Sequence, residues 1–330
     1  MNKDQLEAII EAVIRELNAA GVGEVKPPAQ AAPAPPDPLP PPAPATLPSP
    51  PPAASPNQPL VETHSNLPGE PVIDLPDPTT PERRSQPGVV HPADVEGLAA
   101  LINTTSARIG VGRAGARPTT RQLLLFQADL AVTQDALLRD VDPALLAEFN
   151  LFTVQTKITG GKQEYLLRPD LGRQLSDEAR RTILARCTPS PQIQVCVGDG
   201  LSAAAIEANL RKIYPVLEAG CKQAGLTLGT PFFIQFCRVG VMNDIGDLLK
   251  PEVVILLIGE RPGLGRAESM SAYMAYRPKL GDTDAARDVI CNIYDGGGTN
   301  PLEAGAYALQ MAQKMIQKQA GGVRLKLLES

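Results

Sequence analysis

The chain has 330 residues, a formal charge of −5, 43% hydrophobic residues and no tryptophan, which allows one large domain or two ordinary ones. Mild acidity argues against a general nucleic-acid binder, and no apolar run reaches the roughly 18 residues of a membrane span. The only histidines, His64 and His91, precede the compact part of the chain, so the folded region cannot build a Ser-His-Asp triad, a Cys–His pair or a histidine-ligated zinc site.

Residues 1–20 place Leu6, Ile9, Ile10, Val13, Ile14 and Leu17 at steps of three and four, which predicts a helix with one apolar stripe and a charged opposite face. Gly21 and Gly23 end it. Glu7, Glu11, Arg15 and Glu16 interrupt any signal-peptide core, so the chain reads as cytoplasmic. Residues 21–92 are a proline-rich linker. Of the 34 prolines, 23 fall between Pro27 and Pro92. Such a segment cannot bury enough apolar surface to offset its ordering entropy and is expected to be disordered. As a semi-stiff spacer it reaches on the order of 100 Å. An apolar helix at the tip of such a spacer wants a partner, and it reads either as a docking helix or as a coiled-coil or oligomerisation arm.

Residues 93–185 read as a mainly helical subdomain. Helices are expected over "PADVEGLAALINTT", from about Thr119 to Asp129, and again from about Gln134. Asp142-Pro143 and Ser176 are helix starts by N-cap and N1 preference. "LFTVQTKITGGKQEYLLR" has two runs joined by Gly160-Gly161, which predicts a hairpin. Residues 186–330 alternate apolar strands with helices: "IQVCVGDG", "TPFFIQFCRV", "VVILLIGERPGLG" and "SAYMAYRP" supply the strands. This pattern predicts an α/β fold with a parallel sheet covered on both faces and ligands at the carboxyl ends of its strands. The Gly-Asp-Gly, Gly-Glu-Arg-Pro-Gly and Asp-Gly-Gly-Gly loops are expected on that one edge.

Those loops fail the familiar phosphate tests. Residues 259–265 read G-x-x-x-G-x-G rather than G-x-G-x-x-G, and no G-x-x-x-x-G-K-[ST] occurs. Gly110, Gly112 and Gly115 do spell G-x-G-x-x-G, but after a very short apolar run and before Arg117-Pro118, so a nicotinamide or flavin site is disfavoured. Glycines let backbone approach a ligand closely. Asp199 and Glu260 are the acids best placed at strand ends, either for a ligand or as a helix cap or salt bridge. Five widely spaced cysteines without C-x-x-C read as reduced, mostly buried thiols.

"GRAGARPTTRQLLLFQADLA", "YLLRPDLGRQLS", "VGDGLSAAAI", "QAGLTLGTPFFIQFCRV", "VVILLIGERPGLGRAESMSAY" and "NIYDGGGTNPLEA" follow one another over roughly residues 107–305. In order and spacing they resemble the light (small) chain of ethanolamine ammonia-lyases. The resemblance implies a helical part followed by a Rossmann-like part. It implies a TIM-barrel heavy chain as partner, and adenosylcobalamin as cofactor, held through its own benzimidazole base with no protein histidine on cobalt. The light chain would cover one side of that cofactor, contributing no catalytic residue and no metal ligand. Val239, Glu260 and Val289 match the family's cobalamin contacts. Relatives often carry cysteine at the third of these, and here the nearest cysteine is Cys291. The resemblance also implies that residues 4–18 are an encapsulation tag for a shell protein, placing the enzyme inside a bacterial microcompartment. The competing reading is a non-catalytic scaffold that assembles the heavy chain and docks it to the shell.

Overall fold

In the computed structural model, residues 80–105, 107–264 and 266–328 are described. The predicted docking helix and most of the predicted linker lie outside them. The folded part begins earlier than the sequence suggests, because Arg84 and Gly88 are bonded to residues well inside it. A short helix, α1 (Pro81–Arg84), brings Arg84 to an ion pair with the buried Asp129, and the Gly88 amide donates to the Gly110 carbonyl at 2.8 Å. Then come α2 (Val95–Thr104), two-residue strands β1 (Arg113–Ala114) and β2 (Arg117–Pro118), and α3 (Thr120–Leu138). The two helices expected from Thr119 and from Gln134 are one continuous helix, since no glycine or proline lies between them.

The order continues with α4 (Pro143–Glu148), β3 (Phe152–Gln155), α5 (Gly161–Leu167), α6 (Asp177–Arg186), β4 (Ile193–Gly198), α7 (Ala203–Gln223), β5 (Phe232–Gln235) and α8 (Val241–Leu249). The last elements are β6 (Val253–Gly259), β7 (Met270–Tyr276), β8 (Arg287–Ile293), α9 (Pro301–Lys318) and α10 (Gly322–Leu327). The caps expected from the sequence are in place: Asp142 accepts from the Ala144 amide and Ser176 from the Ala179 amide. The predicted hairpin at Gly160-Gly161 is not formed. The second run is helix α5, started by the Glu164 carboxylate, which accepts from the Thr159 amide at 2.7 Å and from the Gly160 amide at 2.6 Å. That reach-back satisfies amides left orphaned at a helix start.

Six strands form one mixed sheet in the order β3-β5-β4-β6-β7-β8. β3, β5, β4 and β6 are parallel, as the apolar runs predict, whereas β7 and β8 are antiparallel to their neighbours. The reason is connection length: only residues 260–269 link β6 to β7, and a parallel crossover needs a dozen or more. One face carries Val195, Val197, Ile255, Leu257 and Met274 against α7 and α9, and the other carries Cys196, Leu256 and Ile258 against α6 and α8. β4 and β6 are thus buried on both faces, which explains their largely apolar sequences; the one polar side chain, Gln194 of β4, is buried and donates to the Val195 and Thr230 carbonyls. Among the described residues no helix is long and apolar enough to cross a membrane.

Candidate functional site

β4 and β6 run in the same direction, and β8, two antiparallel steps from β6, runs with them. The Gly-Asp-Gly, Gly-Glu-Arg-Pro-Gly and Asp-Gly-Gly-Gly loops therefore lie on one sheet edge, as expected. Several of their glycines are occupied with packing. A Cβ on Gly259 would run into the carbonyl oxygens of Ser202 and Asp199, and Gly200, with φ +57, faces the Gly259 carbonyl. These glycines lock the β4 and β6 loops together. Gly296, with φ +75, has nothing described within 4 Å of its Cβ position and leaves its loop open.

Asp199 belongs to this packing. Its carboxylate is buried, accepts from the amides of Phe236 (2.9 Å) and Cys237 (2.8 Å), and pairs with Lys162 Nζ at 3.2 Å. Burial pushes its carboxyl above the usual carboxylate range, and Lys162 and the two amides pull it back down. The two amides belong to a turn in which Phe236 adopts φ +57, so Asp199 sets the loop that leads to Arg238 and Val239. The sequence alternative of a cap or salt bridge is the one the geometry carries for Asp199, with Lys162 as the cation.

Glu260 is held differently. Its carboxylate accepts from Ser269 Oγ at 2.7 Å, from Ser271 Oγ, and from the Asn292 amide at 3.3 Å. A carboxylate has about four acceptor positions. Three are filled from within the chain, leaving capacity for one further donor. Asn292 belongs to an irregularity where β8 slips against β7 between Met270 and Ala272, and its φ of +55 turns its amide toward Glu260.

Val289 lies further down the sheet than a rim position. It pairs with Tyr273 of β7, which in turn pairs with Leu256 of β6. Directly opposed residues of antiparallel strands share a face, so Val289, Tyr273, Ser271 and Glu260 lie on the side of α8. On that side Val289 is 44% exposed and Tyr273 is only partly buried. The Tyr273 hydroxyl is held above its ordinary range by burial first, and then by Cys291 and Glu260. Val239 follows β5, immediately before the α8 N-cap, and packs at the margin of the same cluster as Tyr273. The three sequence-predicted contacts are thus spread from β5 through β6 to β8. That is four strand steps, or about 19 Å at normal strand spacing.

The 260–269 connection is pinned by residues the sequence did not single out. Ser202 Oγ donates to the Ala267 carbonyl, Asn209 Nδ2 to the Glu268 carbonyl at 2.7 Å, and Thr133 Oγ1 to the Gly263 carbonyl at 2.9 Å. Arg266 stacks over Tyr294 at 4.9 Å. Between α3 and this connection lies a cavity of about 560 Å³ lined by Leu264, Arg266, Arg84, Arg108 and Asp129. Its charges are largely satisfied internally, because both Arg84 and Arg108 pair with Asp129. Among the described residues no group of His, Cys, Asp or Glu side chains could hold a metal ion. The surface offers backbone polar groups, one carboxylate with a single acceptor position to spare, and an apolar flank. It suits a large ligand held by hydrogen bonds and contact area, and it carries no nucleophile–base pair.

Residues 95–326 match the family model described as ethanolamine ammonia-lyase light chain. Curated proteins called ethanolamine ammonia-lyase small subunit are similar over most of their length. The one from Clostridium perfringens is 45% identical over 252 residues, 76% of this chain and 85% of its own. That of Listeria monocytogenes serovar 1/2a is 46% identical over 252 residues, 76% of this chain and 85% of its own. That of Clostridioides difficile is 43% identical over 261 residues, 78% of this chain and 88% of its own.

Proposed function

The chain belongs to the ethanolamine ammonia-lyase light-chain family, and from that premise we propose that it closes over one side of adenosylcobalamin while a TIM-barrel heavy chain grips the other. The observation that carries this reading is the fixed Glu260 carboxylate, at the edge of a sheet face where Tyr273 and Val289 are left partly uncovered. The residues fit such a group. Exposed aliphatic and aromatic area suits the flat side of a large macrocycle, and the remaining acceptor position of Glu260 suits one amide or hydroxyl donor. When bound, adenosylcobalamin supplies the radical chemistry that converts ethanolamine to acetaldehyde and ammonia.

In this reading the chain's own residues bind and exclude. Glu260 accepts one hydrogen bond from a peripheral amide or from the nucleotide tail. Ser269, Ser271 and the Asn292 amide keep its carboxylate from rotating. Val239 and Val289 contribute apolar contact at either side, and the 260–269 connection keeps water from the site. No general base is assigned to this chain. The Rossmann-like reading of residues 186–330 rests on the parallel strands β5, β4 and β6, with crossover helices α7 and α8 on opposite faces.

The test is cobalamin affinity with and without this chain. The heterocomplex should bind cobalamin far more tightly than the heavy chain alone. Equal affinities would favour the scaffold reading, which the three internal donors on Glu260 also suit, since a structural carboxylate is held in the same way. The amphipathic pattern of residues 4–18 supports a further part of the proposal, that the tip docks to a microcompartment shell protein. A fluorescent protein fused to residues 1–20 should then enter shells when co-expressed with shell proteins, and diffuse cytoplasmic signal would count against it.

A further inference from the structure

α3 is built inside out for a helix of a single chain. Of its 19 residues the buried ones are Gln122, Asp129 and Ala136, two of them polar. Its large side chains point outward: Leu123 is 43% exposed, Leu124 55%, Phe126 41%, Leu130 38% and Leu138 63%. Leu123, Phe126, Leu130 and Leu138 recur at helical spacing, so they form one stripe, and Gln127, Ala131 and Gln134 fill it without a charge. Single exposed leucines are ordinary, but a contiguous apolar stripe to which the helix itself contributes no charge marks an interaction surface.

The flank of α3 that carries Asp129 is already covered by this chain. Arg84 and Arg108 pair with Asp129, and Arg121 donates to Gln86. The segment that begins at Thr80 therefore meets α3 on its Asp129 side and reaches the stripe only at its edge, where the Arg108 guanidinium lies 5.7 Å from the centre of the Phe126 ring; Leu123, Leu130 and Leu138 stay exposed beyond it. The stripe is also continuous with the proposed cofactor edge. Thr133, a near neighbour of Leu130 and Phe126 on the helix surface, donates to the Gly263 carbonyl, and Leu264 beside it is 45% exposed.

We infer that the Leu123–Phe126–Leu130–Leu138 stripe of α3 is a seat for the heavy chain, so that one partner covers both this helix and the cofactor edge; this rests on the reading of the chain as a light subunit. Charge depletion and large apolar side chains are the composition of the buried centre of a permanent interface.

The test uses the full chain co-expressed with the heavy chain. The double substitution Leu123→Glu/Leu130→Glu should reduce recovery of the heavy chain on a tagged light chain at least tenfold. It should leave the melting temperature of the free light chain unchanged, because both side chains are exposed in the folded chain. Glu260→Ala should leave recovery intact. Undiminished recovery by the double variant overturns the proposal while leaving the cofactor reading standing, and failure of the unsubstituted chain to recover any heavy chain sinks that reading itself. Leu123→Cys, followed by maleimide labelling and mass spectrometry of its peptide, should label at least tenfold faster in the free full chain than in the complex. Slow labelling in the free chain would mean that its own N-terminal residues or a second copy occupy the stripe, and the proposal would fall.

Discussion

The Asn292 amide donates to Glu260 Oε1 at 3.3 Å, tying the slipped register of β8 to the end of β6. With Ser269 and Ser271 on the same carboxylate, the side chain proposed to meet the cofactor is fixed before any ligand arrives. A hydrogen bond to a charged group is worth about 1.5–3 kcal/mol. Glu260→Ala should therefore weaken cobalamin binding to the heterocomplex by roughly ten- to a hundredfold and leave the KM for ethanolamine nearly unchanged. Ser271→Ala should weaken cobalamin in the same direction but by less. Spectroscopic titration of cobalamin alongside steady-state kinetics reads both. Equal losses for cofactor and substrate would tell against the assignment.

The two kinds of rim glycine separate by substitution. Gly259→Ala forces a methyl into the carbonyls of Ser202 and Asp199, where the obstacle is backbone rather than a flexible side chain. Overpacking of this kind costs about 1–3 kcal/mol or more. Gly296→Ala meets no described atom but must keep φ +75, which costs about 1–2 kcal/mol for a residue with a Cβ. Urea unfolding of the free chain should rank Gly259→Ala as the more destabilised, and the reverse order would mean that the β4 and β6 loops are not locked together.

Lys162→Met should give a stability loss that depends on pH. Lys162 pulls the buried Asp199 carboxyl down against burial, so its removal lets that carboxyl rise further. A carboxyl raised on folding contributes stability below its unfolded value of about 3.9, and this is lost as pH climbs through the folded value. The deficit of the variant relative to the parent should thus be small near pH 4 and grow toward pH 8. There it should approach the roughly 3–5 kcal/mol of a broken buried pair. Denaturant midpoints at pH 5 and pH 8 test this, and a deficit that shrinks with rising pH would refute it.

Much of the fold was legible because burial wrote it into composition. The run of β6 is apolar throughout and that of β4 is apolar but for Gln194, since both faces are covered, and Asp142 and Ser176 cap helices as their local sequence implies. The failures lie where tertiary context overrides local pattern. Gly160-Gly161 looks like a hairpin turn, yet Glu164 makes it a helix start. β8 carries a weak strand signal, because its burial alternates imperfectly at the open end of the sheet. Glu260 stands out as the acid directly after the apolar β6 run. Its three donors could not be found, since Ser269, Ser271 and Asn292 meet it only through strand register.

Register also decides which thiol can report on the site. Cys187, Cys196, Cys221 and Cys237 are buried, whereas Cys291, next to Asn292, is exposed. Burial pushes the Cys187 and Cys221 thiols up to about 11, and those of Cys196 and Cys237 well above the ordinary range. At pH 8 a thiol raised to 11 is thiolate in about one molecule per thousand, and the thiolate is the reactive form. The free chain should therefore show one fast thiol with a chromogenic disulfide at pH 8 and all five after unfolding in guanidinium. Cys291→Ser should abolish the fast phase. If cobalamin lies over β7–β8 as proposed, loading the heterocomplex should slow the Cys291 reaction at least tenfold relative to the cofactor-free complex. Unchanged reactivity on loading would mean that the cofactor does not cover this face.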